Sequence, residues 1–140
     1  MLPIVIALAV APPQTVPEGI HRLVKGPGTM CGITASSALE FRVKVEADAK
    51  AEKLVRRDGG PRFDFFATPD GQWPIRQWVF AKSSEPSYPM VTCREVSEDK
   101  SGSILQGRQL RCDANRGACD AVFLEFAALD KKVLEEFRAK

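Results

Sequence analysis

Along Leu39, Phe41, Val43 and Val45 the apolar residues alternate with Glu40, Arg42, Lys44 and Glu46. A period of two puts every apolar side chain on one face of an extended chain. The run therefore predicts a half-buried antiparallel strand with a charged face in water. The alternation continues through Ala47, Ala49 and Ala51, where two readings compete. Alanine is a poor strand former, and Ala47, Ala51, Leu54 and Val55 also share one helical face. Because Arg62-Phe63-Asp64-Phe65-Phe66 resumes the alternation after Asp58-Gly59-Gly60-Pro61, a long hairpin is the preferred expectation for 47–57, with a helix as the alternative.

Further on, Pro69-Asp70-Gly71 marks a turn, and residues 73–81 read as the returning strand. Pro74 lies near its start, where a missing amide donor is tolerated. Residues 90–96 and 104–112 pair as a hairpin across a polar stretch at 97–103. Residues 119–126 read as a last strand, with the start of a helix as the alternative. Val133, Leu134 and Phe137 stand at helical spacing, so a short helix over 130–138 closes the chain. The expected fold is mainly β, of the α+β kind. It has an antiparallel sheet of about five to seven strands, curled or sandwich-like, with a short C-terminal helix packed on it.

Residues 1–11 form an uncharged apolar run ending in Ala9-Val10-Ala11, followed by Pro12-Pro13. The run is too short to span a bilayer as a helix, which takes about 20 residues. Its length and small-x-small ending suit a secretory leader, although the positive stretch that usually opens one is missing. A buried N-terminal strand of a cytoplasmic protein is the other reading. Residues 12–19 then read as a proline-rich spacer, and 20–140 as one globular domain. Composition agrees: 140 residues, 44% hydrophobic and 27% charged, have room for one core and are too apolar for disorder. The net charge is +2, with cations and acids interspersed. Nucleic-acid binding, which needs a one-sided basic surface, is not expected.

The cysteines extend the leader argument. Cys31, Cys93, Cys112 and Cys119 make an even number in a short chain, without C-x-x-C spacing, and His21 is the only histidine. Redox and zinc chemistry are thus poorly supported, and no metal or cofactor is expected. Disulfides are the better account, and they require an oxidising compartment. Cys112 and Cys119 flank a polar stretch and would face each other across a hairpin, leaving Cys31 for Cys93. Sequence alone leaves the other connectivities open.

Candidate chemistry is sparse. His21 and Cys31 form the one conceivable catalytic pair, against the plainer reading of a strand histidine and a bridged cysteine. Asp113-Ala114-Asn115-Arg116-Gly117 superficially suggests a calcium loop. Leu124 stands where such a loop needs its glutamate, so a turn is the better reading. The aromatics Phe63, Phe65, Phe66, Trp73, Trp78, Phe80 and Tyr88 occupy both alternation parities and cannot all face one core. Most should pack in the interior. If a face binds a sugar or a peptide, Trp73, Arg76, Trp78 and Tyr88 are its candidates.

The segment Cys112-Asp-Ala-Asn-Arg-Gly-Ala-Cys119-Asp-Ala, with the apolar residues and leucine-containing helix after it, resembles a segment of the invasion-associated locus B family of exported bacterial proteins. The resemblance covers only the C-terminal part. That family's following glycine-rich strand has no counterpart, and the other cysteines are spaced differently, so no function is carried over. The functional expectation is a small exported envelope protein, periplasmic or secreted, with no transmembrane segment once mature. It would act as a non-enzymatic binding or structural domain, and the alternative is a small secreted enzyme or enzyme inhibitor.

Overall fold

The computed structural model describes residues 18–138. The expected leader and all of the spacer except Glu18 and Gly19 lie outside these residues. In chain order the elements are β1 (Glu18–Leu23), β2 (Gly28–Met30), β3 (Ile33–Ala35), α1 (Ala38–Lys50), β4 (Val55–Arg57), β5 (Phe63–Ala67), β6 (Ile75–Ala81), β7 (Met90–Glu98), β8 (Ile104–Cys112) and α2 (Arg116–Arg138). Six strands form one sheet in the order β1-β8-β7-β6-β5-β4, and β2 and β3 form a separate hairpin. β4 to β8 are antiparallel throughout, while β1 joins the β8 edge in parallel. The mainly β sheet with a C-terminal helix therefore stands as read from sequence. The paired strands at 90–96 and 104–112 stand with it.

Two elements differ from expectation. The alternating run at Leu39–Val45 is not a strand but the body of α1. Ala38, Phe41 and Val45, at helical spacing, are its buried residues, whereas Leu39 and Val43 are 47% and 65% exposed. Ser37 caps the helix by accepting the Glu40 amide at 3.1 Å, and the Glu40 carboxylate accepts the Ser36 amide at 2.5 Å. The first of these bonds satisfies an amide that the first turn leaves orphaned, and the second ties down the residue before the cap. Residues 47–57 accordingly divide. The helix runs to Lys50, a turn follows, and only Val55–Arg57 is strand.

The second difference is at 119–126, which belongs to α2 and makes the closing helix 23 residues long. Its start is set by Asn115, whose side-chain oxygen accepts the Ala118 amide at 2.9 Å.

The two helices explain the aromatics of both parities. Strand alternation sends Phe66, Trp78, Phe80, Val91 and Cys93 to one face of the sheet, under α1 and the β2–β3 hairpin. It sends Phe63, Phe65, Val79, Ala81, Met90 and Leu110 to the other face, under Val122 and Phe126 of α2. On the first side Trp78 lies 6.1 Å from Phe41 and 6.3 Å from Phe80 between ring centroids. On the second Phe63 lies 5.5 Å from Phe126. Burying an aromatic side chain is worth about 1.5–3 kcal/mol of hydrophobic free energy. Two covered faces collect that gain from nearly all the ring-bearing positions.

The α2 side also encloses a polar cluster. Arg108 and Asp130 are 5% and 2% exposed and form a two-point ion pair, with Thr92 accepting a further bond from Arg108 at 3.0 Å. Arg94 lies beside them, donating to the side-chain carbonyls of Gln77 and Gln106 at 2.7 and 2.5 Å. Burial pulls the Arg94 guanidinium below its ordinary value. Asp130 opposes that shift and Arg108 adds to it.

Disulfides join Cys31 to Cys93 and Cys112 to Cys119. The first ties the β2–β3 turn to the central strand β7. The second links the end of β8 to the first turn of α2, a strand–helix junction where a hairpin was expected. Among the described residues no helix is long and apolar enough to cross a membrane.

Candidate functional site

A cleft of about 340 Å³ opens on the α1 side of the sheet, at the end where β5 turns into β6. Four pieces of chain build it. The β2–β3 turn contributes Cys31 and Gly32, both at positive φ (47° and 82°), as a two-residue hairpin turn twisted to match its strands requires. The last turn of α1 contributes Asp48. The link into β4 contributes Lys53 and Leu54, with the Lys53 amide held by the Asp48 carbonyl at 2.9 Å. The β5–β6 loop contributes Thr68, Gln72, Trp73 and Pro74, and β6 adds Arg76 and Trp78.

The loop is held at its base by backbone pairing. Thr68 donates its amide to the Arg76 carbonyl at 3.0 Å, and its hydroxyl accepts the Arg76 amide at 3.3 Å. Gln72 donates to the Pro69 carbonyl at 3.2 Å, closing the turn over Gly71 at a φ of 84°. Trp73 follows with its side chain largely free, 56% exposed. Trp78 is the opposite case: at 1% exposure it is core, and it contributes to the cleft as a wall.

The polar groups fall into two sets. Arg76 is committed, with its Nε 2.6 Å from a Glu95 carboxylate oxygen. Asp48, Lys53 and Gln72 make no side-chain hydrogen bond or ion pair with any described residue. Asp48 is also badly placed for stability. A carboxylate in the last turn of a helix faces the negative end of its dipole, at a cost of about 0.3–1 kcal/mol. An acceptor, a donor and an amide that does both thus stand uncommitted around an exposed indole.

Of the binding residues expected from sequence, Trp73, Arg76 and Trp78 meet in this cleft. Tyr88 does not. It is 38% exposed and borders a small crevice with Leu39 and Arg42, near the start of α1. Asp48 lies nine residues further along that helix, roughly 13 Å away at 1.5 Å per residue. Cys31 lines the cleft, but its sulfur is bonded to Cys93. His21 lies in β1, its backbone in register with Arg108. The suspected calcium loop is otherwise occupied. Asp113 accepts from the Ala38 amide at 2.8 Å and from Arg111 at 2.6 Å, and Asn115 caps α2.

Asp48, Lys53 and Gln72 escaped the sequence reading. Only Asp48 carried a signal, as an acid near a helix end, and that needed the helix to be recognised first.

A second, more apolar opening of about 490 Å³ lies on the other face, among Phe63, Phe65, Phe126 and Leu129. Its acid, Glu125, is gripped by Arg62 at 2.7 and 3.0 Å, which leaves Lys132 as the one charged side chain of the lining without such a partner.

No protein-family model, no curated protein and no solved structure matches the chain.

Proposed function

We propose that this protein is an exported, non-catalytic binding domain whose ligand occupies the cleft beside Trp73. The observation that carries the reading is the exposed indole set among three uncommitted polar side chains. Folding alone gives no return for that arrangement. An exposed tryptophan forgoes its burial energy, and Asp48 opposes its own helix. Local choices that cost stability without a structural partner are characteristic of functional sites. The non-catalytic part rests on Cys31, whose sulfur in a disulfide is unable to act as a nucleophile toward substrate. Export is supported by the two disulfides, which persist in oxidising compartments, together with the apolar run at 1–11. Periplasmic or secreted protein is the corresponding location.

The test uses protein recovered from its native cell. Its N-terminal residue and thiol content are read by mass spectrometry. Pro12 at the N-terminus and no alkylatable thiol are the expected results. A retained Met1 with free thiols would remove the export reading. A free Cys31 thiolate would bring the secreted-enzyme alternative forward instead.

A further inference from the structure

Resting on that reading of the cleft, we infer that its ligand is a saccharide: a short stretch of glycan chain stacked on Trp73 and hydrogen-bonded by Asp48, Lys53 and Gln72. A pyranose ring has two kinds of surface. Its C–H face is apolar and flat enough to lie on an aromatic ring, and its edge carries hydroxyls that each donate and accept. Recognition therefore calls for a bare aromatic plate flanked by acceptors and donors together. Trp73 supplies the plate. The Asp48 carboxylate only accepts, the Lys53 ammonium only donates, and the Gln72 amide does both. These three side chains are the cleft's partner-free polar groups noted above.

The same set argues against other ligand classes. A wholly apolar ligand would bury Asp48, Lys53 and Gln72 without compensation. A polyanion would meet the Asp48 carboxylate with Lys53 as its one unmatched cation in the cleft, because Arg76 is already matched by Glu95 at 2.6 Å. An extended peptide adds itself to a free strand edge, and the edges that border the cleft, β4 and the β2–β3 hairpin, have strands of only three residues, which offer an added strand few backbone partners. Its volume of about 340 Å³ is at the small end of ligand sites, which run to about 1,000 Å³, and suits a few sugar units rather than a large fold.

The cleft's frame fits this use. The Cys31–Cys93 disulfide anchors the β2–β3 turn to β7 at one wall, and Trp78 stacks into the core behind it. Trp73 stands on the β5–β6 loop, which the Thr68–Arg76 pairing holds at its base, and this lowers the ordering cost of binding.

The experiment is an amide and indole NMR titration of the disulfide-intact protein. The probes are cellotetraose, maltotetraose and chitotetraose, each up to about 10 mM, so that a Kd near 1 mM registers. A mixture of short peptides is titrated in parallel. The expected result is that at least one oligosaccharide shifts the Trp73 indole N–H together with the Gly32, Lys53 and Gln72 amides. Trp73→Ala should then weaken binding at least about tenfold, and Asp48→Asn should weaken it measurably, with both spectra otherwise native. Saccharide binding that Trp73→Ala leaves unchanged would overturn the assignment. So would peptides shifting these resonances while every oligosaccharide leaves them still; the cleft would then bind, but not sugar. If no probe moves them, the binding reading falls along with the saccharide one.

Discussion

Replacing Asp130 by alanine strips away the carboxylate that Arg108 holds through Nε at 2.6 Å and Nη2 at 2.9 Å. Both residues are almost fully covered by α2 and the sheet. The Arg108 guanidinium also sits 4.7 Å from the Phe126 ring centroid, and its remaining Nη1 bond goes to Thr92. Arg94 Nε lies 3.9 Å from the same carboxylate, so the variant leaves the buried Arg108 beside a second, partly exposed cation. Stranding one buried charge in this way costs about 3–5 kcal/mol. That is a large share of the roughly 5–15 kcal/mol by which a domain is stable. With an unfolding entropy of about 2.1 cal/mol/K per residue, Tm should fall by roughly 12–20 °C for the folded residues 18–138.

The double variant Arg108→Met/Asp130→Leu separates the pair's net value from the penalty of breaking it. Replacing both members with apolar residues of similar size is often neutral, so the double variant should be markedly more stable than Asp130→Ala. Urea unfolding followed by tryptophan fluorescence and by circular dichroism measures all three proteins, disulfides intact. A loss below about 1 kcal/mol for Asp130→Ala, or a double variant no better than the single, would refute the reasoning.

Other consequences follow from the same structure. Cys31→Ser/Cys93→Ser opens a loop of sequence separation 62 and Cys112→Ser/Cys119→Ser one of 7, so chain entropy predicts losses of about 4 and about 2 kcal/mol in denaturant titrations. Equal losses would mean that effects other than loop entropy dominate. Ser37→Ala should cost about 1 kcal/mol by uncapping α1, and Phe41→Ala about 3–5 kcal/mol by opening a cavity against Trp78; the same titrations read both. Asp99 is held below its ordinary 3.8 by the Ser101 hydroxyl first and then by backbone amides, chiefly that of Ser103. A lowered carboxylate stabilises the native state fully above its unfolded value and loses that contribution as pH falls through its native one. The gap in urea midpoint between wild type and Asp99→Asn should therefore be widest near neutrality and shrink below pH 3.8; a gap independent of pH would contradict this.

The sequence by itself determined the strands whose alternation is reinforced by turns. β5 to β8 are bounded by Pro69-Asp70-Gly71 and by polar stretches, and their cores of phenylalanine, tryptophan and valine favour extended chain. It also supported the disulfide partners, through parity of number and the polar stretch between Cys112 and Cys119. For the body of α1 the alternation pointed to a strand, and the structure has a helix. Phe41 and Val45 satisfy a period of two and a period of 3.6 alike, and Leu39 and Val43 tip the count toward a strand. The local evidence for a helix was the Ser37-x-x-Glu40 cap. The decision came from burial: Ala38, Phe41 and Val45 reach the surface offered by Trp78 and Phe80, while Leu39 and Val43 are left in water.

The cleft depended on tertiary structure more heavily still. Trp73 and Arg76 were visible as a local pair. Asp48 and Lys53 join them only because α1 folds back across the sheet and the Cys31–Cys93 bond carries the β2–β3 turn to the same place. Periodicity reports which face a residue takes on its own element. Which elements meet there depends on pairing and packing between distant segments, and short-range patterns carry little of that information.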